Sequence, residues 1–294
     1  MTFSLETMTH SPSCWPTLLT ASVTASLIAF VPPGQALEVT VKPTKPALGD
    51  TVSVLIEGDS DQAPVVKFGQ QTYPAFQLKP NRWRSLLPTT PLDKPGRRSL
   101  QVSAGKDVRN LAVWVAKRSF PTQRLWLPPG KDNEGTDFEF SQTAAFKKLV
   151  TPQKLWSGVF RKPNRGPISA IYGIRRYYNG VFAKDYYHRG IDYAGGTGSP
   201  VVAPAAGRVA LVGRESQGFK IHGNVVGLDH GQGVTSIFLH LSRINVQKGE
   251  LVKAGQVIGA VGSTGASTGP HLHWGLYIHG LAVDPAPWRV QGFE

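Results

Sequence analysis

The sequence predicts an all-β chain in two parts, an N-terminal immunoglobulin-like β-sandwich followed by a C-terminal domain of antiparallel β. Three observations carry this expectation. The 294 residues include 32 Gly and 23 Pro, a density of turn formers that argues against a helical bundle. Apolar residues fall in short, Val-rich, mostly alternating runs, the period of half-buried strands. The length also exceeds what one small core needs, which favours two domains.

Residues 1–36 hold no Lys or Arg and carry an apolar run from Leu18 to Val31, then Pro32-Pro-Gly-Gln-Ala36. Small residues at Gly34 and Ala36 predict a secretory signal peptide cut after Ala36. The run is diluted by Thr and Ser and predicts no stable membrane span. The only cysteine, Cys14, lies in this leader, so the exported chain would have no thiol. That excludes a Cys-type zinc site, a Cys nucleophile and disulfides.

Residues 37–117 contain six runs: Glu38 to Lys42, Thr51 to Ile56, Val65 to Phe68, Trp83 to Leu87, Ser99 to Ser103 and Leu111 to Val115. Turn signals such as Gly58-Asp-Ser60 and Lys94-Pro-Gly96 separate them, which predicts the sandwich, with a docking or shielding role. Residues 118–154 form a connector whose proline content predicts irregular, extended chain. Within it a short helix is expected, with Ser141 as N-cap and Ala144, Ala145, Phe146 and Leu149 as its apolar face.

Residues 155–294 form the second domain, and seven of the eight histidines lie beyond position 187. His188 and Asp192 share a turn-and-strand run. His240 ends the apolar strand Thr235 to His240, and His271 and His273 stand two apart in Gly269-Pro-His-Leu-His-Trp-Gly275. In a strand, residues two apart face the same way, so both imidazoles would look into one cleft. Two His and one Asp make a donor set suited to a catalytic zinc with an open fourth position. Asp229-His230-Gly231 and His279-Gly280 read as hairpin tips and His222-Gly223 as a turn, so these three histidines are not expected in the site. Tyr186, Tyr187 and Arg208 are candidates for a substrate groove.

His188-x-x-x-Asp192, Ser236-Ile-Phe-Leu-His240-Leu and Ser267-Thr-Gly-Pro-His271-Leu-His273-Trp together resemble the lysostaphin/LytM-type zinc metallopeptidases of peptidase family M23. Ile168 to Arg176, Ser199 to Ala203 and Val252 to Gly259 extend the resemblance over about residues 155–287. The resemblance implies a LytM-type peptidase fold and one Zn2+ per chain, held by His188, Asp192 and His273. It implies His271 as general base toward zinc-bound water and His240 as a partner of the tetrahedral intermediate. Phe238 stands where the family often has Tyr, and Asn179 lies near a position that in some members occupies the metal in a latent form.

The function expected is a secreted zinc endopeptidase acting on peptide bonds of bacterial peptidoglycan, in the periplasm or at the cell wall. A formal charge of +13 fits attraction to anionic wall polymers. The alternative is a non-catalytic wall-binding or activator protein, which the intact donor set disfavours. A biotinyl- or lipoyl-type carrier is suggested by Val246 to Gly259, but no modifiable Lys motif stands there. Nucleic-acid binding is not expected, because no reader motif accompanies the charge.

Overall fold

The computed structural model describes residues 37–59, 62–126 and 135–293; the expected leader and Cys14 lie outside them. The N-terminal region is two four-stranded sheets. One orders its strands Glu38–Lys42, Thr51–Glu57, Arg82–Pro88, Phe76–Lys79, and the other Gln71–Pro74, Val65–Phe68, Gly96–Ala104, Asp107–Val115. All six expected runs are strands. The two extra ones, Gln71–Pro74 and Phe76–Lys79, are only four residues long, the first almost wholly polar and the second with just two apolar residues, Phe76 and Leu78. Val52, Val54, Val66, Leu87, Leu100, Val102 and Val115 fill the space between the sheets.

The C-terminal region is built on one ten-stranded, antiparallel sheet. Its middle is the ladder of Ile191–Tyr193, Leu272–Ile278, Val234–Ile244, Asn224–Gly231 and Gly207–Gly213. Leu272–Ile278 is buried along its whole length, because both faces are covered. Its central core includes Trp274, Phe238, Leu228, Val261 and Trp288.

The two regions share structure. Leu86 of the N-terminal strand Arg82–Pro88 lies in the C-terminal core. Arg84 of the same strand is almost wholly buried, donates to the Phe293 carbonyl and to Gln232, and its guanidinium lies over Trp156 at 4.9 Å. Trp288 Nε1 donates to Thr51 Oγ1 at 3.0 Å, and Arg118 pairs with Asp284 at 2.7 Å.

The connector departs most from expectation. Thr122–Leu125 is a strand, paired in parallel with Arg175–Tyr178. The helix runs Asp137–Lys147 and starts four residues before the expected cap. Thr136 is the N-cap, in a reciprocal capping box with Glu139. Ser141 is inside the helix and bonds back to the Phe138 carbonyl. The buried face is Glu139, Thr143 and Phe146, while Ala144 and Ala145 are exposed. Of the expected face, Phe146 is buried and Leu149 packs beside it; the two alanines are not part of it, because the buried carboxylate of Glu139 reads as polar in the sequence.

Candidate metal centre and groove

Asp192 and His273 stand opposite one another in the antiparallel pairing of Ile191–Tyr193 with Leu272–Ile278, and Leu239 flanks His273 on its other side. This register brings Asp192 Oδ1 to 2.8 Å from His273 Nδ1. His188 approaches from the preceding loop. Its amide donates to the Ile174 carbonyl and its Nδ1 to the Ile171 carbonyl, both at 2.8 Å, leaving Nε2 as a lone pair. That Nε2 is 3.0 Å from both Asp192 Oδ1 and His273 Nδ1.

The glycine between the first two donors has a steric reason. A Cβ on Gly190 would come within 2.3 Å of the Trp274 carbonyl oxygen and 2.8 Å of His273 Nε2. No larger residue lets the His188 loop lie this close to the strand of His273.

Three donor atoms about 3 Å apart suit a small divalent cation, since a tetrahedral zinc with bonds of 2.0–2.1 Å spaces its ligands about 3.3 Å apart. The charge states suit one too. Burial opposes ionisation of Asp192, but its close contacts with His188 and His273 outweigh it and hold the carboxyl well below its ordinary range. Burial pushes His273 down to about 4, against the pull of Asp192. A neutral imidazole beside a carboxylate is the form that binds metal, and a cation would take the place of the one proton now shared by the three groups.

The cluster lies in a groove of about 920 Å³. His240 and His271 face the same space, their ring centroids 4.8 Å apart. His271 Nδ1 donates to the Gly269 carbonyl at 2.8 Å and His240 Nδ1 to the Thr264 carbonyl at 2.8 Å. Both rings therefore present Nε2 unprotonated. Burial, and then the neighbouring His271 and His273, push His240 down to about 3. His240 also has φ of 64°, a backbone state uncommon outside glycine, held by its amide bond to the His222 carbonyl.

All five expected site residues thus line one groove, and the same-side expectation for His271 and His273 holds. His222 is a correction: it is buried, lines the groove, and donates Nδ1 to Glu139 at 2.7 Å. Its sequence neighbourhood shows only a turn, and Glu139 lies on a distant helix. His230 is no exposed hairpin tip. It is fully buried beside the turn, bonded to the Ala206 carbonyl and Ser236. His279 does sit in a turn, at φ of 48°, against Tyr73. Tyr186 lines the groove, whereas Arg208 turns away to the Gly249 carbonyl and Tyr187 is in the core. Phe238 is fully buried and points into the core, so a ring hydroxyl there would not face the groove. Asn179 is an exposed turn residue at φ of 47°.

Residues 186–285 match the model of peptidase family M23. The DD-carboxypeptidase/endopeptidase Mpg of Neisseria meningitidis is 46% identical over 98 residues, which are 33% of this chain and 22% of that protein. Glycyl-glycine endopeptidase ALE-1 of Staphylococcus capitis is 38% identical over 122 residues, 40% of this chain and 32% of its own. The chain therefore spans between about a fifth and a third of the length of these curated relatives. The crystal structure of an M23 peptidase candidate from Pseudomonas aeruginosa aligns over 85% of this chain and 96% of that one, with a TM-score of 0.64 and 28% identity.

The C-terminal region is accordingly a metallopeptidase-type domain preceded by a separate β-domain. It is a domain of the lysostaphin/LytM type within peptidase family M23.

Proposed function

We propose that the protein is an exported, zinc-dependent endopeptidase that hydrolyses peptide bonds in bacterial peptidoglycan. The observation that carries this is the pairing, in one open groove, of a His188–Asp192–His273 donor cluster with two further histidines whose Nε2 atoms are free to take protons. The names of the similar proteins, a DD-carboxypeptidase/endopeptidase and a glycyl-glycine endopeptidase, support the class of reaction.

His188, Asp192 and His273 would hold one zinc per chain, which when bound would supply a Lewis acid able to polarise a carbonyl and acidify water. His271 is the general base, accepting a proton at Nε2 while the Gly269 carbonyl fixes its tautomer. His240 is the partner of the developing oxyanion. Its Nδ1 proton is committed to Thr264, so it donates to an oxyanion only as the imidazolium, with the proton that His271 takes from the attacking water passed on to its Nε2 from the neighbouring ring 4.8 Å away.

We read residues 1–36 as the export signal, 37–117 as an immunoglobulin-like accessory domain, 118–154 as the linker and 155–294 as the peptidase domain. The place of action is the periplasm or the outside of the cell. The charge of +13 favours contact with anionic wall polymers. Among the described residues no helix is long and apolar enough to cross a membrane.

The test is release of free amines from purified peptidoglycan by the zinc-loaded protein, with His271→Ala as control. Equal release by both, or none by either, would sink the proposal.

A further inference from the structure

The linker helix adds charge to the groove from outside the matched domain. Lys147, in its last turn, lines the groove with its ammonium over the Tyr277 ring at 5.0 Å. Arg189 lines it too, its guanidinium 5.4 Å from the Tyr186 ring and 5.8 Å from that of Tyr187. Neither cation has a carboxylate partner among the described residues; each is seated on an aromatic face.

The nearby acids are already committed. Among the described residues Asp192 is the only acidic one lining the groove, and it belongs to the metal cluster. Glu139 sits behind the wall, saturated by the Thr136, Ile221 and His222 amides and by His222 Nδ1. Burial, followed by repulsion from Arg189, pushes Lys147 down to about 8, and the same two cations add to the burial that lowers His222. Two like charges thus line one partly desolvated groove, and neither is paired with a carboxylate there. Arg176, also in the groove, differs, since Gln123 and the Tyr178 and Tyr186 hydroxyls occupy it.

We propose that Lys147 and Arg189 form a subsite for a free carboxylate of the substrate, so that the groove takes an acidic cross-link peptide in preference to an uncharged oligoglycine bridge. This rests on the peptidase function proposed above and specifies its substrate class. A carboxylate between the two cations would relieve their repulsion and form charge-assisted hydrogen bonds. An oligoglycine segment offers nothing to offset either charge.

The experiment uses one muropeptide dimer in two forms, with free carboxyls and with those carboxyls amidated. Binding to the zinc-loaded full chain carrying His271→Ala is measured by calorimetry, and turnover of both forms by wild type in parallel. The acid form should bind about 10-fold tighter. Lys147→Met and Arg189→Gln should each erase most of that preference, Lys147→Arg should keep it, and unchanged unfolding midpoints would show the fold intact. Equal binding of acid and amide, binding of neither, or a preference that survives the Lys147→Met/Arg189→Gln pair overturns the subsite. Tighter acid binding without turnover of either form by wild type would instead leave the subsite standing and refute the peptidase function.

Discussion

Glu139 on the linker helix accepts the Nδ1 proton of His222 at 2.7 Å, although 83 positions separate them in sequence. The same carboxylate takes the backbone amides of Ile221 and His222 and caps its own helix through Thr136. The linker therefore does more than join two domains. It closes one wall of the groove.

Glu139→Ala should accordingly lower stability by about 3 kcal/mol, since it leaves buried donors without an acceptor. Urea unfolding gives the magnitude. Hydrogen exchange should quicken across Asp137–Lys147; unchanged exchange there would mean that the helix is held by Phe146 alone.

His230 makes the fold sensitive to acid. Its Nδ1 donates to the Ala206 carbonyl and its Nε2 accepts from Ser236, whose oxygen takes the Trp274 indole proton. Burial holds its pKa at about 4 against an ordinary 6.5. Below about pH 6.5 the unfolded chain binds a proton that the folded ring refuses, so stability falls as pH drops and the loss is complete near pH 4. From pH 7 to pH 5 this one group should cost about 2 kcal/mol. Unfolding curves of the metal-free protein at the two pH values should show a smaller difference in His230→Gln than in wild type. An equal difference would rule out His230 as the source.

The paired histidines should fail differently. His273→Ala removes a donor from the cluster and should abolish stoichiometric zinc. His271→Ala leaves the cluster whole, so it should retain zinc while turnover falls by about 10²–10⁴-fold. Metal analysis beside an activity assay separates the two. Zinc lost from both variants would show that His271 belongs to the metal site.

What the sequence revealed about the site depended on strand periodicity and local spacing. His188 and Asp192 lie in one short run, and His271 and His273 alternate along one strand, so the donors were legible without coordinates. Their meeting was implied by the family resemblance and not by spacing, because it follows from the register that sets Asp192 against His273. His222 and Lys147 were missed for a related reason. One looks like a turn residue and the other like the polar end of a helix, and only the docking of Asp137–Lys147 by the buried Glu139 puts them in the groove. The core strands were visible as apolar alternation. Thr122–Leu125 was not, since its partner strand Arg175–Tyr178 is as polar as itself.

Arg84 ties the N-terminal sheets to the peptidase-type domain, and its removal should be felt by both. Arg84→Ala would strip the acceptors at Phe293 and Gln232 of a buried charged donor and uncover Trp156. A loss of about 2–4 kcal/mol is expected, with packing of the side-chain stem contributing as well as charge. Arg82→Ala serves as control, because its bond to Glu57 at 3.1 Å lies on the partly exposed surface and should cost under about 1 kcal/mol. Equal losses in the two variants would mean the interface does not depend on Arg84.

Gly190 offers the sharpest test of the metal geometry, because its substitution changes no donor. Its φ is not in the left-handed region, so alanine meets no backbone penalty there, and the effect is purely one of contact. The added methyl would press on the Trp274 carbonyl and on His273 Nε2. Either the pairing of Ile191 with Trp274 opens, or the His273 ring turns away from Asp192. Both outcomes spread the three donor atoms beyond the spacing a tetrahedral ion needs. Zinc affinity should fall about 10–100-fold, the size of effect seen when ligand orientation is lost, and stability by about 1–3 kcal/mol from overpacking. Chelator competition and urea unfolding measure the two separately. If Gly190→Ala lost stability but bound zinc as tightly as wild type, the close approach at Gly190 would be a packing feature of the strand and not a determinant of the metal site.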